Sequence, residues 1–506
     1  MGGSLVIGRL AFRLQDERRR QATPTESPFD FMCKAHGTAS MKDRETIVRP
    51  SPDAGAATRM SIAGLARSGA IAGVIKLASA GFSFLMFVVI AMVTDEREFG
   101  LYSATYAGAS LVSFFASVGQ QSTVLRFWPQ YAEADDLSSA HGLMRRAIVV
   151  ALAGVTVSSV LVAAVGFAPY VGHGTPEWLP LCLSAAVLSL ALAWSEFASG
   201  AFRAKGALIS GLLPRDIFWR VATIAAIAAL WYFHVKITAV TATLITAGLL
   251  ILAVLPQTII LLRDTLGSQR EPLSSEQKAE FNSVTLGLWG VTSLPPALGQ
   301  VSTLLVAAIL GPEIAGAVFV ADRTTRLVVL ALTGINQALA PEISGAFYGG
   351  NRNHVQRTTS LTALGSSAVA IAVLAVFWFF GTEILGIFDH AYATATMHTV
   401  LMVFGIGATV AAACGPMELV LQLTGLQHSL LKLLIVVNVI GLGLTAPMTY
   451  LFGPIGAAAG IAGTVVTWNI LGVMIACRAI GINPSIVGLF AGKRASRIGQ
   501  ATHSTS

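Results

Sequence analysis

The feature that most constrains this chain is a series of twelve long apolar segments, each 17 to 29 residues in length. A helix that rises 1.5 Å per residue needs about 20 apolar residues to cross a bilayer. Because the bilayer core offers no water to backbone groups, we expect each segment to be helical. The segments are Ser68–Val93, Leu101–Leu125, Ala147–Tyr170, Leu179–Phe202, Ile217–Phe233, Ile237–Leu262, Asn282–Leu310, Ala315–Ala340, Thr359–Phe380, Thr399–Leu423, Leu433–Phe452 and Pro454–Cys477.

The composition agrees with a polytopic membrane protein. Hydrophobic residues make up 54% of the 506-residue chain and charged residues only 12%, against about 25% charged residues in a soluble domain. The four cysteines are far apart and match no metal or redox spacing. The sequence also contains no phosphate-binding glycine loop and no nucleophile elbow. We therefore predict no cofactor, no metal, no catalytic residue and no nucleic-acid partner.

The distribution of positive charge predicts the orientation. Arg97 and Lys236 are the only Lys or Arg residues in the predicted outer loops, whereas the inner loops and the C-terminal tail carry sixteen, among them Arg203 and Arg215 in the loop after the fourth span. Positive charge concentrates on the cytoplasmic side of membrane proteins. With an even number of spans, both termini are predicted to be cytoplasmic.

The chain divides into two sets of six spans. The predicted parts are a disordered cytoplasmic tail at 1–60, an N-lobe at 61–262, a cytoplasmic linker at 263–281, a C-lobe at 282–477 and a cytoplasmic tail at 478–506. An internal repeat supports this division. An offset of 216 residues aligns Gly100 with Gly316, and an offset of 219 aligns Gly206 with Gly425. Repeats of this kind place the substrate of a transporter at their interface.

The eighth segment carries three charged residues, Asp322, Arg323 and Arg326, inside its apolar span. A charge at mid-membrane costs at least about 2.5–3.5 kcal/mol, so such residues usually face protein or a wet cavity. Asp322 and Arg326 are i,i+4 neighbours, which places them on one helix face. They either neutralise each other or line a polar path, and one acid cannot neutralise two arginines.

Four short motifs resemble those of a known family. They are EFGLY at 98–102, VGQQ at 118–121, LRFWP at 125–129 and FRAKG at 202–206. The chain resembles the oligosaccharide flippases of the multidrug/oligosaccharidyl-lipid/polysaccharide superfamily over roughly 68–477. This resemblance implies two six-helix lobes around a central cavity and alternating access. It implies transport of undecaprenyl-pyrophosphate-linked repeat units for O-antigen or exopolysaccharide, from the inner to the outer leaflet of the bacterial inner membrane. A polysaccharide polymerase and export machinery are the partners that it implies.

A pyrophosphate in a low-dielectric path needs cations, and the arginine fork suits phosphate. We therefore predict that Lys76, Arg323 and Arg326 form a cationic substrate path. The alternatives are pairing between helices and snorkelling of Lys76 to the headgroups. Arg220 lies near the cytoplasmic end of its span and is predicted to snorkel.

Acids and prolines within the spans are further candidates. Glu196, Asp322 and Glu418 could bind a coupling proton or cation, or they could hydrogen-bond to a neighbouring helix. Pro295 and Pro296 remove two backbone donors, which predicts a bend that serves either as a hinge or as a static kink.

Two other functions remain open at this stage. One is a cation-coupled multidrug exporter of the same superfamily, which would favour an acidic cavity. The other is a polysaccharide polymerase or another membrane enzyme, which would need a large external loop that the sequence lacks.

Overall fold

The computed structural model describes residues 62–168, 176–267 and 274–489. The predicted tail at 1–60 and the last part of the C-terminal tail lie outside these residues. The helices are α1 (Ile62–Val93), α2 (Glu96–Ala116), α3 (Gln120–Glu133), α4 (Leu137–Val165), α5 (Trp178–Ala204), α6 (Leu208–Leu213), α7 (Trp219–Tyr232), α8 (Ala239–Gly267), α9 (Ser275–Leu310), α10 (Pro312–Tyr348), α11 (Arg352–Gly386), α12 (Ala395–Ala413), α13 (Met417–Leu423) and α14 (Gln427–Ile480). A π-helical turn at Pro214–Phe218 joins α6 to α7, and a 3₁₀ turn at His390–Tyr392 precedes α12.

Each predicted span corresponds to a helix, to a pair of helices in direct succession or to one arm of a bent helix. The second span is α2 with α3, the fifth is α6 with the π-helical turn and α7, and the tenth is α12 with α13. The last two spans are the arms of α14, which bends at Gly453 because this residue has φ 60° and ψ −142°. The predicted all-α membrane fold, with about twelve helices in two six-helix lobes, is confirmed.

Length and composition alone identify fewer spans. Among the described residues, eight helical stretches are long and apolar enough to cross a membrane, with α2 and α3 counted as one, and α9 is a ninth if its two arms form one bent span. The arms Ser275–Leu294 and Gly299–Leu310 meet at 49°. Pro295 and Pro296 lie at this bend, where they remove two helix donors. Whether the bend moves during transport stays a prediction.

The lobes meet along α2. In the N-lobe, α5 packs against α2, α4 and α8, and in the C-lobe α12 packs against α11 and α14. Between the lobes, α2 packs against both α9 and α10, and α1 packs against α10. The interface between the lobes is therefore formed by α1, α2, α9 and α10.

Close backbone packing joins the lobes at one end, where α2 and α10 begin. A Cβ atom at Gly100 would overlap the carbonyl group of Pro312, and one at Gly316 would lie 3.1 Å from the Gly100 Cα atom. Aromatic rings surround this point, with Phe99 and Tyr392 6.3 Å apart between centroids. We call these residues the lobe contact, and it closes this end of the lobe interface.

The structure reproduces the register of the internal repeat. Helices α2 and α10 begin at Glu96 and Pro312, and 312 − 96 = 216, the offset of the glycine alignment. Gly206 and Gly425 end the fourth span of each half with φ values of +81° and +82°. Only glycine adopts this left-handed conformation without strain. The same local geometry therefore recurs in both lobes.

Candidate functional site

A polar cavity of about 220 Å³ lies between the lobes. Residues of α1, α2, α5 and the π-helical turn line it from the N-lobe, and Gln300 and Arg323 line it from the C-lobe. A neighbouring cavity of about 230 Å³ shares Ser113, Phe114 and Glu196 with the first and adds Arg203. The two cavities share these walls and together form the candidate site, which we call the central cavity.

Arg323 is the cation that the C-lobe contributes to this cavity. Its guanidinium lies 4.6 Å from the ring centroid of Phe319 and 5.6 Å from that of Phe87. Both rings stabilise the charge through their π faces. The buried Nε atom has no hydrogen-bond partner among the described residues, and Arg323 forms none of the salt bridges found there. The two rings thus hold the Arg323 guanidinium in place while its Nε–H donor stays unused in the described part of the chain.

Lys76 pairs with an acid that the sequence analysis did not consider. Its Nζ atom lies 2.6 Å from Oδ2 of Asp216, whose side chain is only 4% exposed, whereas that of Lys76 is 45% exposed. Asp216 belongs to the π-helical turn, 140 positions away in the sequence. The pair links α1 to this turn and neutralises the charge of Lys76.

The π-helical turn also carries Arg215, which forms an ion pair with Glu196 of α5. A π-helical turn shifts the hydrogen-bonding register of the backbone, and such turns are frequent at functional sites. Here the side chain of Arg220 donates hydrogen bonds to the carbonyl groups of Arg215 and Asp216, and Trp219 donates a third to Arg215. The turn is therefore fixed by its own following residues.

The prediction that Arg220 snorkels to the headgroups does not match its position. Besides its backbone contacts, Arg220 donates a hydrogen bond to Oγ of Ser79 at 3.0 Å and lies 4.7 Å from the Trp219 ring centroid. It also lines the central cavity. Carbonyl groups exposed by the π-helical turn attract the guanidinium inward, and a hydropathy profile does not reveal such groups.

Asp322 and Arg326 form a local ion pair away from Arg323. Arg326 Nε lies 2.8 Å from Asp322 Oδ2, one helical turn apart on α10. Both residues line a separate pocket of about 90 Å³ inside the C-lobe, together with Asn438 and Thr445. The neutralised pair that the i,i+4 spacing suggested is therefore present. The predicted joint path of Lys76, Arg323 and Arg326 stays a prediction, and in this conformation the three residues occupy different surroundings.

The remaining candidate acids differ in position. Glu196 lines both parts of the central cavity. Glu418 lies at the exposed start of α13, where its Oε1 atom accepts a hydrogen bond of 3.1 Å from Gln422. It lines none of the three pockets described above. Within the described residues, no group of three or more His, Cys, Asp or Glu side chains could hold a metal ion.

The sequence analysis missed two cations of this site, Arg203 and Arg215. It assigned both to a cytoplasmic loop because they lie outside the apolar spans. The described walls of the central cavity therefore carry four arginines and one carboxylate, a net charge of 4 − 1 = +3. The sequence does contain a signal for Arg215. Arg215 and Asp216 directly precede the fifth span, so a short N-terminal extension of that helix would include both residues. The charged residues of the cavity walls are Arg203, Arg215, Arg220, Arg323 and Glu196.

Solved structures share this architecture at low sequence identity. An inward-facing multidrug resistance MATE family transporter of the MOP superfamily aligns with a TM-score of 0.64 at 15% identity, covering 80% of this chain and 96% of the other. A MOP superfamily transporter from Pyrococcus furiosus, described by the reverse polarity of its binding pocket, aligns with a TM-score of 0.56 at 16% identity, covering 81% and 94%. An outward-facing MATE family transporter aligns with a TM-score of 0.55 at 15% identity, covering 86% and 97%. These similarities establish the fold.

A family model identifies the chain more directly. The model described as polysaccharide biosynthesis protein matches residues 65–347, more than half of the chain, from α1 to the end of α10. No curated protein matches the chain. The chain belongs to the polysaccharide biosynthesis protein family.

Proposed function

We propose that this protein is a flippase that moves an undecaprenyl-pyrophosphate-linked oligosaccharide from the inner to the outer leaflet of the bacterial inner membrane. It has a transporter fold and belongs to a polysaccharide biosynthesis family. The observation that carries the proposal is the net positive charge of the central cavity, with Arg323 free of any carboxylate partner among the described residues. In a low-dielectric cavity, a guanidinium with unused donors favours a phosphate group.

Lys76 and Arg326 are held by carboxylates and are expected to contribute less than Arg323 to substrate binding. They remain part of the proposed path because ion pairs rearrange when lobes move. Glu196 and Asp322 are proposed coupling acids, and Pro295 with Pro296 is a proposed hinge. Glu418 is the weakest of the proposed coupling acids because it lies away from the central cavity.

The proposed orientation has both termini in the cytoplasm. The turns before α2 and α10 would then face outward, so the lobe contact would close the outer end of the cavity. Lipid-linked substrate would enter from the inner leaflet in this conformation, and separation of the lobe contact would release it outside. A polysaccharide polymerase and export machinery are the proposed recipients of the released oligosaccharide.

Deletion of the gene in the source bacterium tests this function. Loss of a flippase should remove surface polysaccharide and accumulate lipid-linked repeat units in the inner leaflet. Expression of the wild-type protein should restore the polysaccharide, and Arg323→Gln should not. Normal surface polysaccharide in the deletion strain would refute the proposal.

A multidrug exporter is the second candidate, because two of the similar structures are multidrug resistance transporters. Cationic drugs require negative or aromatic surroundings, whereas the walls of this cavity are net positive. The same deletion strain separates the two functions. Greater sensitivity to cationic dyes with unchanged polysaccharide would favour the exporter.

A further inference from the structure

Arg215 projects into the central cavity from a part of the N-lobe that is unusually well fixed. Arg220 and Trp219 hold the backbone of the π-helical turn from one side, and Lys76 holds Asp216 from the other. Because Arg220 also donates to Ser79, the turn is anchored to α1 by two side chains. These contacts therefore hold the backbone that carries Arg215.

The acid opposite Arg215 is much less constrained. In the described part of the chain, Glu196 accepts one hydrogen bond, which Nη2 of Arg215 donates to its Oε2 atom. Both side chains are partly exposed to the cavity, 28% for Glu196 and 24% for Arg215. Arg215 Nη1 also lies 3.8 Å from Oδ1 of its neighbour Asp216, which is too far for a hydrogen bond. A guanidinium has five N–H donors, and the single hydrogen-bonded oxygen of Glu196 uses few of them. Arg215 thus keeps donors for a second anion, and Glu196 can leave without breaking any other hydrogen bond found in this part of the structure.

We propose that Arg215 is a second anion-binding residue of the central cavity, with Glu196 as its exchangeable resident anion and Arg220 as its positioning residue. The ligand class is a phosphate or pyrophosphate ester. This inference rests on the proposed function, because it concerns the same cavity and the same anionic substrate. A phosphate group that enters between Arg323 and Arg215 displaces the Glu196 carboxylate, and the pyrophosphate is bound from both lobes at once.

The exchange predicts changes of opposite sign at the two partners. Arg215→Gln removes a charge-assisted contact and should weaken binding about tenfold or more. Glu196→Gln removes the competing anion and should strengthen binding about threefold to fivefold, the size expected for a partly exposed ion pair. If Glu196 were only a structural brace for Arg215, both substitutions would weaken binding.

The experiment measures the affinity of the full-length protein for undecaprenyl pyrophosphate. The protein is placed in phosphatidylcholine nanodiscs, which lack anionic headgroups, and intrinsic tryptophan fluorescence reports binding. Inorganic pyrophosphate is titrated separately to compare a free anion with the lipid headgroup. Arg357→Gln, which alters an exposed arginine of α11, is the matched control. The double variant Arg215→Gln with Glu196→Gln leaves no unpaired charge and should bind as weakly as Arg215→Gln, so it replaces that variant if the latter does not fold.

Arg220 is tested by rescue. Arg220→Gln should weaken binding about as much as Arg215→Gln, because the carbonyl groups of Arg215 and Asp216 lose the hydrogen bonds that Arg220 donates to them. Arg220→Lys keeps a charged donor and should recover most of the affinity. Equal loss in both variants, with intact folding by size-exclusion chromatography, would contradict the positioning role.

The outcomes separate this inference from the proposed function. The function stands if the wild-type protein binds undecaprenyl pyrophosphate and Arg323→Gln weakens this binding. The inference on Arg215 is nevertheless wrong if Arg215→Gln changes the affinity less than twofold, or if Glu196→Gln weakens it. If the wild-type protein does not bind undecaprenyl pyrophosphate, both fail. Binding of inorganic pyrophosphate without binding of the lipid would likewise overturn the lipid as the ligand.

Discussion

The two lobes share one backbone plan but neutralise their buried charges differently. Helix starts and left-handed glycines recur at offsets of 216 and 219 residues. In the N-lobe, Lys76 with Asp216 and Arg215 with Glu196 are ion pairs between separate elements. In the C-lobe, Asp322 and Arg326 pair within one helix, and Arg323 stays free of a carboxylate among the described residues. The repeat is therefore reflected in the backbone geometry of both lobes, whereas the charges that give the cavity its sign differ between them.

The largest expected effect concerns the backbone plan at the lobe contact. At Gly100 an added methyl group overlaps the carbonyl group of Pro312, whereas at the equivalent Gly316 the nearest atoms lie 3.1 Å away. Gly100→Ala should therefore reduce transport about fivefold or more, through the 1–3 kcal/mol that overpacking typically costs. Gly316→Ala should have a smaller effect because its neighbours need to move only a few tenths of an ångström.

Transport of lipid-linked oligosaccharide into proteoliposomes measures this asymmetry. Gly81→Ala on α1 is the control, since a Cβ atom there meets no heavy atom within 4 Å. Equal activity of the Gly100 and Gly316 variants would show that the lobe contact is not as tight as the structure has it.

The next effect concerns the cross-helix pair of the N-lobe. Asp216→Asn leaves Lys76 beside a buried neutral group and should lower the free energy of unfolding by about 1–3 kcal/mol. Asp322→Asn breaks the half-exposed local pair of the C-lobe and should cost at most about 1 kcal/mol. Thermal unfolding of both variants in the same detergent checks the order. A larger loss for Asp322→Asn would reverse the contrast between the lobes.

The smallest effect is expected at the exposed pair of Arg97 and Glu177, whose side chains lie 2.7 Å apart. The hydrogen bond from Arg97 lowers the pKa of Glu177 below its usual value. A carboxyl group with a lowered folded-state pKa stabilises the fold above its unfolded pKa, and this contribution is lost as pH falls through the folded pKa. Because both groups are almost half exposed, Glu177→Gln should change stability by less than about 1 kcal/mol.

The measurement for this pair is thermal stability of Glu177→Gln and wild type between pH 7 and pH 3. The difference between the two proteins should be present at neutral pH and vanish at the acidic end. A difference that grows with acidification would assign the lowered pKa to another cause.

Hydropathy predicted the helices because the bilayer imposes one local rule on every span. The two prolines located the bend of α9, since a missing donor acts locally. The i,i+4 spacing offered the pair of Asp322 and Arg326 as one of two alternatives, and the structure contains that pair. The long-range pairs could not be predicted in this way. Lys76 meets Asp216 only after α1 and the π-helical turn pack together, 140 positions apart.

The same limit explains the errors at the end of the fifth span. Arg215 was assigned to a loop because it lies outside the apolar segment of the fifth span. Arg220 was assigned to the headgroups because it lies near the cytoplasmic end of that segment. The π-helical turn joins α7 to α6, so the helical segment of the fifth span begins at Leu208 rather than at Ile217. Arg215 and Arg220 therefore lie within this segment, and both line the central cavity. The π-helical turn, which hydropathy does not reveal, therefore accounts for two of the arginines in the candidate site.

The most direct test of the central claim compares two arginines three residues apart on α10. Arg323→Gln and Arg326→Gln are each reconstituted in proteoliposomes, and transport of undecaprenyl-pyrophosphate-linked oligosaccharide is measured. We predict that Arg323→Gln reduces transport about tenfold or more, whereas Arg326→Gln, whose charge is already neutralised by Asp322, stays within about fivefold of wild type. Full transport by Arg323→Gln would contradict the claim that an unpaired cation between the lobes binds the substrate.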